Sequence, residues 1–123
     1  MSFMKDSKIN IKPMLSLIDP EFKESLARLM TLGGFKYEFN NWKLATAEDM
    51  SHYRDALERH LLAHDKGEYI DKDTGIPHLI CVTFNAMCLD FLDKKYKLYI
   101  PDLTIYNKKL KEYKERKNGK SLN

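Results

Sequence analysis

Three of the four histidines in this 123-residue chain, His60, His64 and His78, fall between Arg59 and Asn85, with Asp65, Glu68, Asp71 and Asp73 among them. Imidazoles exchange protons near neutral pH, carboxylates act as bases, and the two together are ligands for divalent cations. The acidic residues are too unevenly spaced for a calcium-binding EF-hand loop, which needs alternating oxygen ligands, a central Gly and a terminal Glu. A solvated acidic loop is the plainer alternative. What favours a site is placement: Arg59, His60 and His64 end one helical pattern, and His78 begins the next.

The elements that must position these residues follow from periodicity and capping. Asp19-Pro20-Glu21 is a helix start, with Phe22, Leu26, Leu29 and Met30 as its apolar face, and Gly33-Gly34 is expected to end that helix. The connector 35–45 is rich in aromatics, and Tyr37 and Trp42 either pack back on the domain or line a pocket for a flat ring, with Lys36 facing an anion. Thr46 with Asp49 resembles a capping box and opens a second helix to about His64, with Met50, Tyr53, Leu57 and Leu61 as its buried stripe. Asp55 and Arg59 are four apart, the spacing of an exposed ion pair. A third helix, capped by Asp73 or Thr74 with Pro77 in its first turn, is apolar nearly all round from Leu79 to Leu92. His78 and Asn85 are its polar exceptions, seven apart and on one face.

If the second and third helices are antiparallel neighbours, as a connection of this length allows, His60 and His64 approach His78 while Glu68 and Asp71 close the same end. His60, Glu68, Asp71 and His78 then form a candidate metal set, with Glu68, Asp71 and His60 as candidate catalytic groups. Lys36 and Arg59 could neutralise a polyphosphate, Tyr37 and Trp42 could hold a base, and Asn85 is a further candidate for substrate contact. A metal bridging phosphate oxygens would stabilise the charge that builds as water attacks a phosphoanhydride.

Composition sets outer bounds. Hydrophobic residues make up 43% and charged residues 32%, a profile that argues against disorder. No run is long enough for a membrane span, and the N-terminus lacks a signal-peptide core, so a cytoplasmic location is expected. Cys81 and Cys88, seven apart, are expected as reduced core thiols that cannot pair with each other. Residues 94–123 hold ten Lys/Arg against three Asp/Glu, and end in a lysine-rich stretch expected to fray. Contact of that tail with nucleic acid is the weaker expectation beside simple solubility. The expected architecture is all-α: three to four helices in a hairpin or bundle over residues 1–115, an irregular N-terminal arm, a fourth helix from about Asp102, and a basic tail at 116–123. Covering a helix that is apolar on every side requires a second copy, so a homo-oligomer is expected.

These motifs carry a resemblance. Lys36, Tyr37, Asn41 and Trp42, then Ala56, Arg59, His60 and Leu61, then Gly67, Glu68, Asp71, Asp73, Thr74, Gly75, His78, Leu79 and Asn85 resemble the pattern of the dATP/dGTP diphosphohydrolase N-terminal domain family. That family occurs mostly in phage and prophage proteins and is akin to the MazG-like all-α nucleoside triphosphate pyrophosphatases. The resemblance covers about residues 36–92. It implies hydrolysis of dATP or dGTP to monophosphate and pyrophosphate with Mg²⁺ or Mn²⁺, in host cytoplasm if the chain is phage-encoded. Glu38, Asp73 and Cys81 depart from it, standing where the pattern has Gly, Glu and His. The competing reading is a non-enzymatic phage module that binds a protein partner or a nucleotide.

Overall fold

The computed structural model describes residues 11–119. The expected N-terminal arm lies largely outside them, and its described end contains one 3₁₀ turn, Leu15–Leu17. Four α-helices follow: α1 Pro20–Lys36, α2 Met50–Asp65, α3 His78–Lys95 and α4 Leu103–Lys117. No strand occurs among the described residues, so the chain is all-α, and no described helix is long and apolar enough to cross a membrane. Two compact units divide the chain, residues 1–92 and 93–123. The division falls inside α3.

Asp19 caps α1 as its type predicts, its carboxylate accepting from the Phe22 amide at 3.1 Å. Gly33 and Gly34 do not end the helix. It continues to Lys36, and neither glycine adopts a positive φ. Gly34 is needed for room: a Cβ there would collide with the Phe39 ring, which packs back onto the helix. The glycine pair therefore permits a close approach where sequence alone suggested a stop.

Thr46 and Asp49 form the expected capping box, with the Thr46 amide donating to the Asp49 carboxylate at 2.7 Å. A 3₁₀ turn, Ala47–Asp49, leads directly into α2. On that helix the ion pair is Arg54–Glu58 at 3.1 Å, in place of the Asp55–Arg59 pair that spacing suggested. Both partners are exposed, so the pair contributes at most about 0.5 kcal/mol.

Asp73 and Thr74 do not cap α3. Thr74 Oγ1 donates to the Asp71 carboxylate at 2.8 Å and accepts from the Ile76 amide at 3.2 Å, so these residues build the turn before the helix. The buried residues of α3 are His78, Ile80, Cys81, Asn85, Cys88 and Leu92. Five of them, from His78 to Leu92, recur at alternating intervals of three and four, which places them on one stripe. The expectation that every side of this helix must be covered is not met within one chain. Leu79 is 42% exposed, while the inward stripe carries an imidazole, an amide and two thiols. Burial pushes the Cys81 thiol up to about 11 and the Cys88 thiol up to about 12, and Tyr53 of α2, raised by burial to about 12, lies against Cys88.

That placement has a pH consequence. Each thiol's folded pKa lies above its unfolded value of 9.0, so its contribution to stability is complete below about pH 9 and is lost as pH rises toward 11 to 12. The melting temperature is expected to fall steadily above pH 9, and a thiol reagent at pH 8 is expected to modify neither cysteine until denaturant is added. Rapid modification of the native protein at pH 8 would contradict this burial.

In the second unit, Asp102 caps α4 by accepting from the Thr104 amide at 2.9 Å. Helix continues to Lys117, into the segment expected as a basic tail from 116. Residues 120–123 lie outside the described residues.

Candidate functional site at the turn of the α2–α3 hairpin

The connector between α2 and α3 is fixed at both ends by backbone bonds. Gly67, at φ 91°, follows the end of α2, and its amide bonds to the His64 carbonyl while the Glu68 amide bonds to that of Ala63. This is a Schellman motif, which needs a residue tolerant of left-handed geometry, hence glycine. At the other end the His78 amide donates to the Tyr69 carbonyl at 2.9 Å and the Asp71 amide to the Ile76 carbonyl at 2.9 Å. Ile70 and Pro77 form an isolated antiparallel bridge, and Gly75, at φ 77°, allows the reversal between. Glu68 is thus held immediately after α2, opposite the first residue of α3.

Three side chains meet there. His78 Nδ1 and His60 Nδ1 are 2.8 Å apart, and His78 Nε2 and Glu68 Oε2 are 2.8 Å apart. His78 is 4% exposed, so neither of its nitrogens depends on water. Its two partners sit on opposite edges of the ring. Lys72 lies 3.7 Å from the other Glu68 oxygen.

The electrostatics follow from these contacts. The His78 bond, with Lys72 nearby, holds the Glu68 carboxyl below its usual range. Burial pushes the His60 pKa down and adjacent His78 adds to that, while Asp71 opposes it. Burial alone would raise Asp71, but the Thr74 hydroxyl and Asp73 amide bonds, with the imidazoles of His60 and His78 nearby, outweigh it and leave this carboxyl low. Two anionic carboxylates thus flank a part-buried imidazole pair.

The predicted residues divide into groups. His60, Glu68 and His78 are brought together, and Asp71 is a close neighbour. His64 is turned aside, its ring edge-on to Tyr69 with centroids 5.2 Å apart. Asn85 is buried, and its amide nitrogen donates to the Cys81 carbonyl at 2.8 Å, one turn back in its own helix. Arg59 is exposed on α2. Lys36, Tyr37 and Trp42 lie together elsewhere, lining a cavity of about 850 Å³ with Tyr53, Phe84 and Thr74. That volume suits a drug-sized or nucleotide-sized ligand. Lys36 Nζ sits 5.2 Å from the Tyr37 ring centroid, and the Tyr37 hydroxyl, with Asp73 nearby, holds its ammonium above the usual value. Trp42 packs edge-on to Phe91 with centroids 5.0 Å apart, and its Nε1 is buried without a hydrogen-bond partner.

Cavity and imidazole pair meet through the turn. Asp73 and Thr74 line the cavity, and Thr74 is bonded to Asp71. Sequence reasoning missed Thr74 as a link and Gly67 as the residue that aims Glu68. Gly67 had a readable signal, since glycine just past a helix end favours this cap. Thr74 had none, because its capping chemistry fits either role.

The expected metal set is not assembled. Among the described residues no group of three or more His, Cys, Asp or Glu side chains is arranged to hold an ion. The reason is visible in His78, whose two nitrogens are engaged by His60 and Glu68 on opposite edges, so one ion cannot reach all three.

Comparison with known proteins identifies the lineage. The family model described as dATP/dGTP diphosphohydrolase, N-terminal, matches residues 4–99. The chain belongs to this family. A protein of Salmonella phage PMBT28 named dATP/dGTP diphosphohydrolase is 40% identical over 67 residues, which are 54% of this chain and 22% of that protein. The match thus spans about a fifth of that relative's length. No solved structure matches. For this diphosphohydrolase-family chain, the cavity, the turn and the imidazole pair all lie within the matched residues.

Proposed function

We propose that this chain takes part in hydrolysing purine deoxynucleoside triphosphates to the monophosphate and pyrophosphate. The observation that carries this reading is the junction at Thr74, where the cavity holding Lys36, Tyr37 and Trp42 meets the turn that carries Asp71 beside the imidazole pair. Tyr37 and Trp42 offer faces to a base, and the Lys36 ammonium offers charge to a phosphate. Arg59, exposed near His60, is a second cation for the phosphate chain. Family membership and the name of the phage relative support the substrate class.

Mg²⁺ or Mn²⁺ enters this reading as the ion that accompanies the triphosphate, since magnesium is commonly bound largely through substrate phosphates. When bound there it would neutralise charge building on the phosphate oxygens. The imidazole pair supplies proton transfer, and the Lys36 side supplies binding. A homo-oligomer is also proposed, because Leu62, Tyr69 and Ile70, around the same hairpin end, are about half exposed or more. Size-exclusion chromatography with light scattering tests it, and a monomer at all concentrations would overturn it.

The function is tested by incubating the chain with dATP, dGTP, dCTP or dTTP and Mg²⁺ or Mn²⁺ and measuring pyrophosphate. Release from the purine nucleotides, abolished by Glu68→Gln, is the expected result; no release from any nucleotide with either ion would refute it. The alternative of a binding module without hydrolysis rests on Cys81, which stands where the family pattern has a histidine. It predicts a higher melting temperature with dGTP and Mn²⁺ but no product.

A further inference from the structure

We infer that α4 is a dock for an acidic amphipathic helix of another protein, seated on a seam of Leu103, Tyr106, Leu110 and Tyr113 and held in register by Lys109 and Arg116 beside it. The helix belongs to the second unit, residues 93–123, and its use as a dock does not depend on the nucleotide reading.

Spacing sets the shape of what fits there. The four seam residues follow one another at intervals of three, four and three, the repeat that lets two helices wind together along a narrow apolar edge. Leu103, Tyr106 and Tyr113 are 46% to 63% exposed, and Leu110 between them is half-buried. A seam confined to these positions suits a facing helix, whereas a helix lying in a membrane interface presents a broader apolar face.

Charge sets the chemistry of the partner. α4 carries six Lys/Arg and two Asp/Glu, and the two signs are segregated around its axis. At about 3.6 residues per turn, Lys109 and Arg116 border the tyrosine side of the seam and Lys114 borders the leucine side, while Glu112 and Glu115 fall on the far half. Both cations of the tyrosine side reach over the seam: Lys109 Nζ lies 5.9 Å and the Arg116 guanidinium carbon 5.1 Å from the Tyr113 ring centroid. Lys109 also pairs with Glu112 at 3.8 Å, but both side chains are exposed, so this contact is weak enough to be exchanged for a partner's carboxylate. An apolar edge bordered by Asp and Glu complements this surface in shape and in sign.

Other occupants satisfy only half of it. A second copy of α4 would set Lys109 against Lys114 in a parallel pair, or against Arg116 in an antiparallel one, with cation facing cation in both. Nucleic acid would neutralise the cations and leave Leu103 and Leu110 in water. An anionic membrane would do the same for the charges, with little apolar area to insert.

The test uses the full chain and two synthetic helical peptides with leucine along the same repeat, one flanked by glutamates and its twin by lysines. Fluorescence anisotropy is expected to show binding of the glutamate peptide that weakens as salt is raised, and none of the lysine twin. Lys109→Glu combined with Arg116→Glu, both at exposed positions, is expected to weaken the glutamate peptide about tenfold or more and to bind the lysine twin instead. Leu110→Asp, which opens the seam, is expected to weaken the glutamate peptide by about tenfold or more as well. No binding of the glutamate peptide, equal binding of the twin, or binding indifferent to the charge reversal overturns the proposal. Tighter binding of phosphatidylglycerol vesicles or single-stranded DNA than of the glutamate peptide overturns it too. So does self-association that Leu110→Asp abolishes in light scattering, which would assign the seam to a second copy.

Discussion

Alanine in place of His78 is expected to remove about 2–4 kcal/mol of stability and to abolish pyrophosphate release. The stability loss comes from emptying a site that is 4% exposed and breaking contacts at both ring nitrogens. Glu68, with its side chain 42% exposed, can recover water, whereas half-buried His60 loses its partner with less access to solvent. The activity loss follows because the side chain that joins His60 to Glu68 is gone. Urea denaturation of both proteins, with pyrophosphate measured beside it, checks both parts. His64→Ala serves as the comparison, since His64 makes only a ring contact with exposed Tyr69 and its removal should cost under about 1 kcal/mol. Equal destabilisation by the two alanines would remove the special status of His78.

Leu92→Ala is expected to destabilise the chain by about 3 kcal/mol. Leu92 is 0% exposed and closes the inward stripe of α3, far from the histidine end. Leu79, on the same helix but 42% exposed, provides the control, and Leu79→Ala should cost less than about 1 kcal/mol. Chemical denaturation of the pair measures the difference. Unlike His78→Ala, Leu92→Ala is expected to leave pyrophosphate release per folded molecule unchanged, since Leu92 neither lines the cavity nor touches the imidazole pair. Similar stability losses at the two leucines would mean that the outer side of α3 is covered after all, as the proposed second copy would require.

The helices were readable because their signals are local. Asp19-Pro20, Thr46 with Asp49, and Asp102 each cap the element their residue types announce. The approach of His60 and Glu68 to His78 was also readable, since a short connection leaves two helices little choice but to lie antiparallel. The division of labour within the cluster was not readable. Spacing cannot tell that both nitrogens of His78 are occupied from opposite sides. Gly34 was misread for a related reason: its role is set by Phe39, and no periodicity reports which ring will lie on a helix. The inward direction of α3 was hidden because its hydrophobicity is nearly even around the axis. Only the partner helix, with Tyr53 set against Cys88, picks out the more polar stripe for burial.

The clasped connector also bears on how the chain is assembled. His60 and His78 are 18 residues apart, and Glu68 and His78 only 10, so the contacts of the imidazole pair close short loops. Trp42 meets Phe91 across nearly half the chain. Loop-closure entropy grows with the length of chain enclosed, though slowly, so the imidazole end carries a smaller ordering cost than the aromatic wall of the cavity. The hairpin can therefore organise its imidazoles before α1 and the aromatic connector have found their places. The imidazole end and the aromatic wall thus differ in contact order.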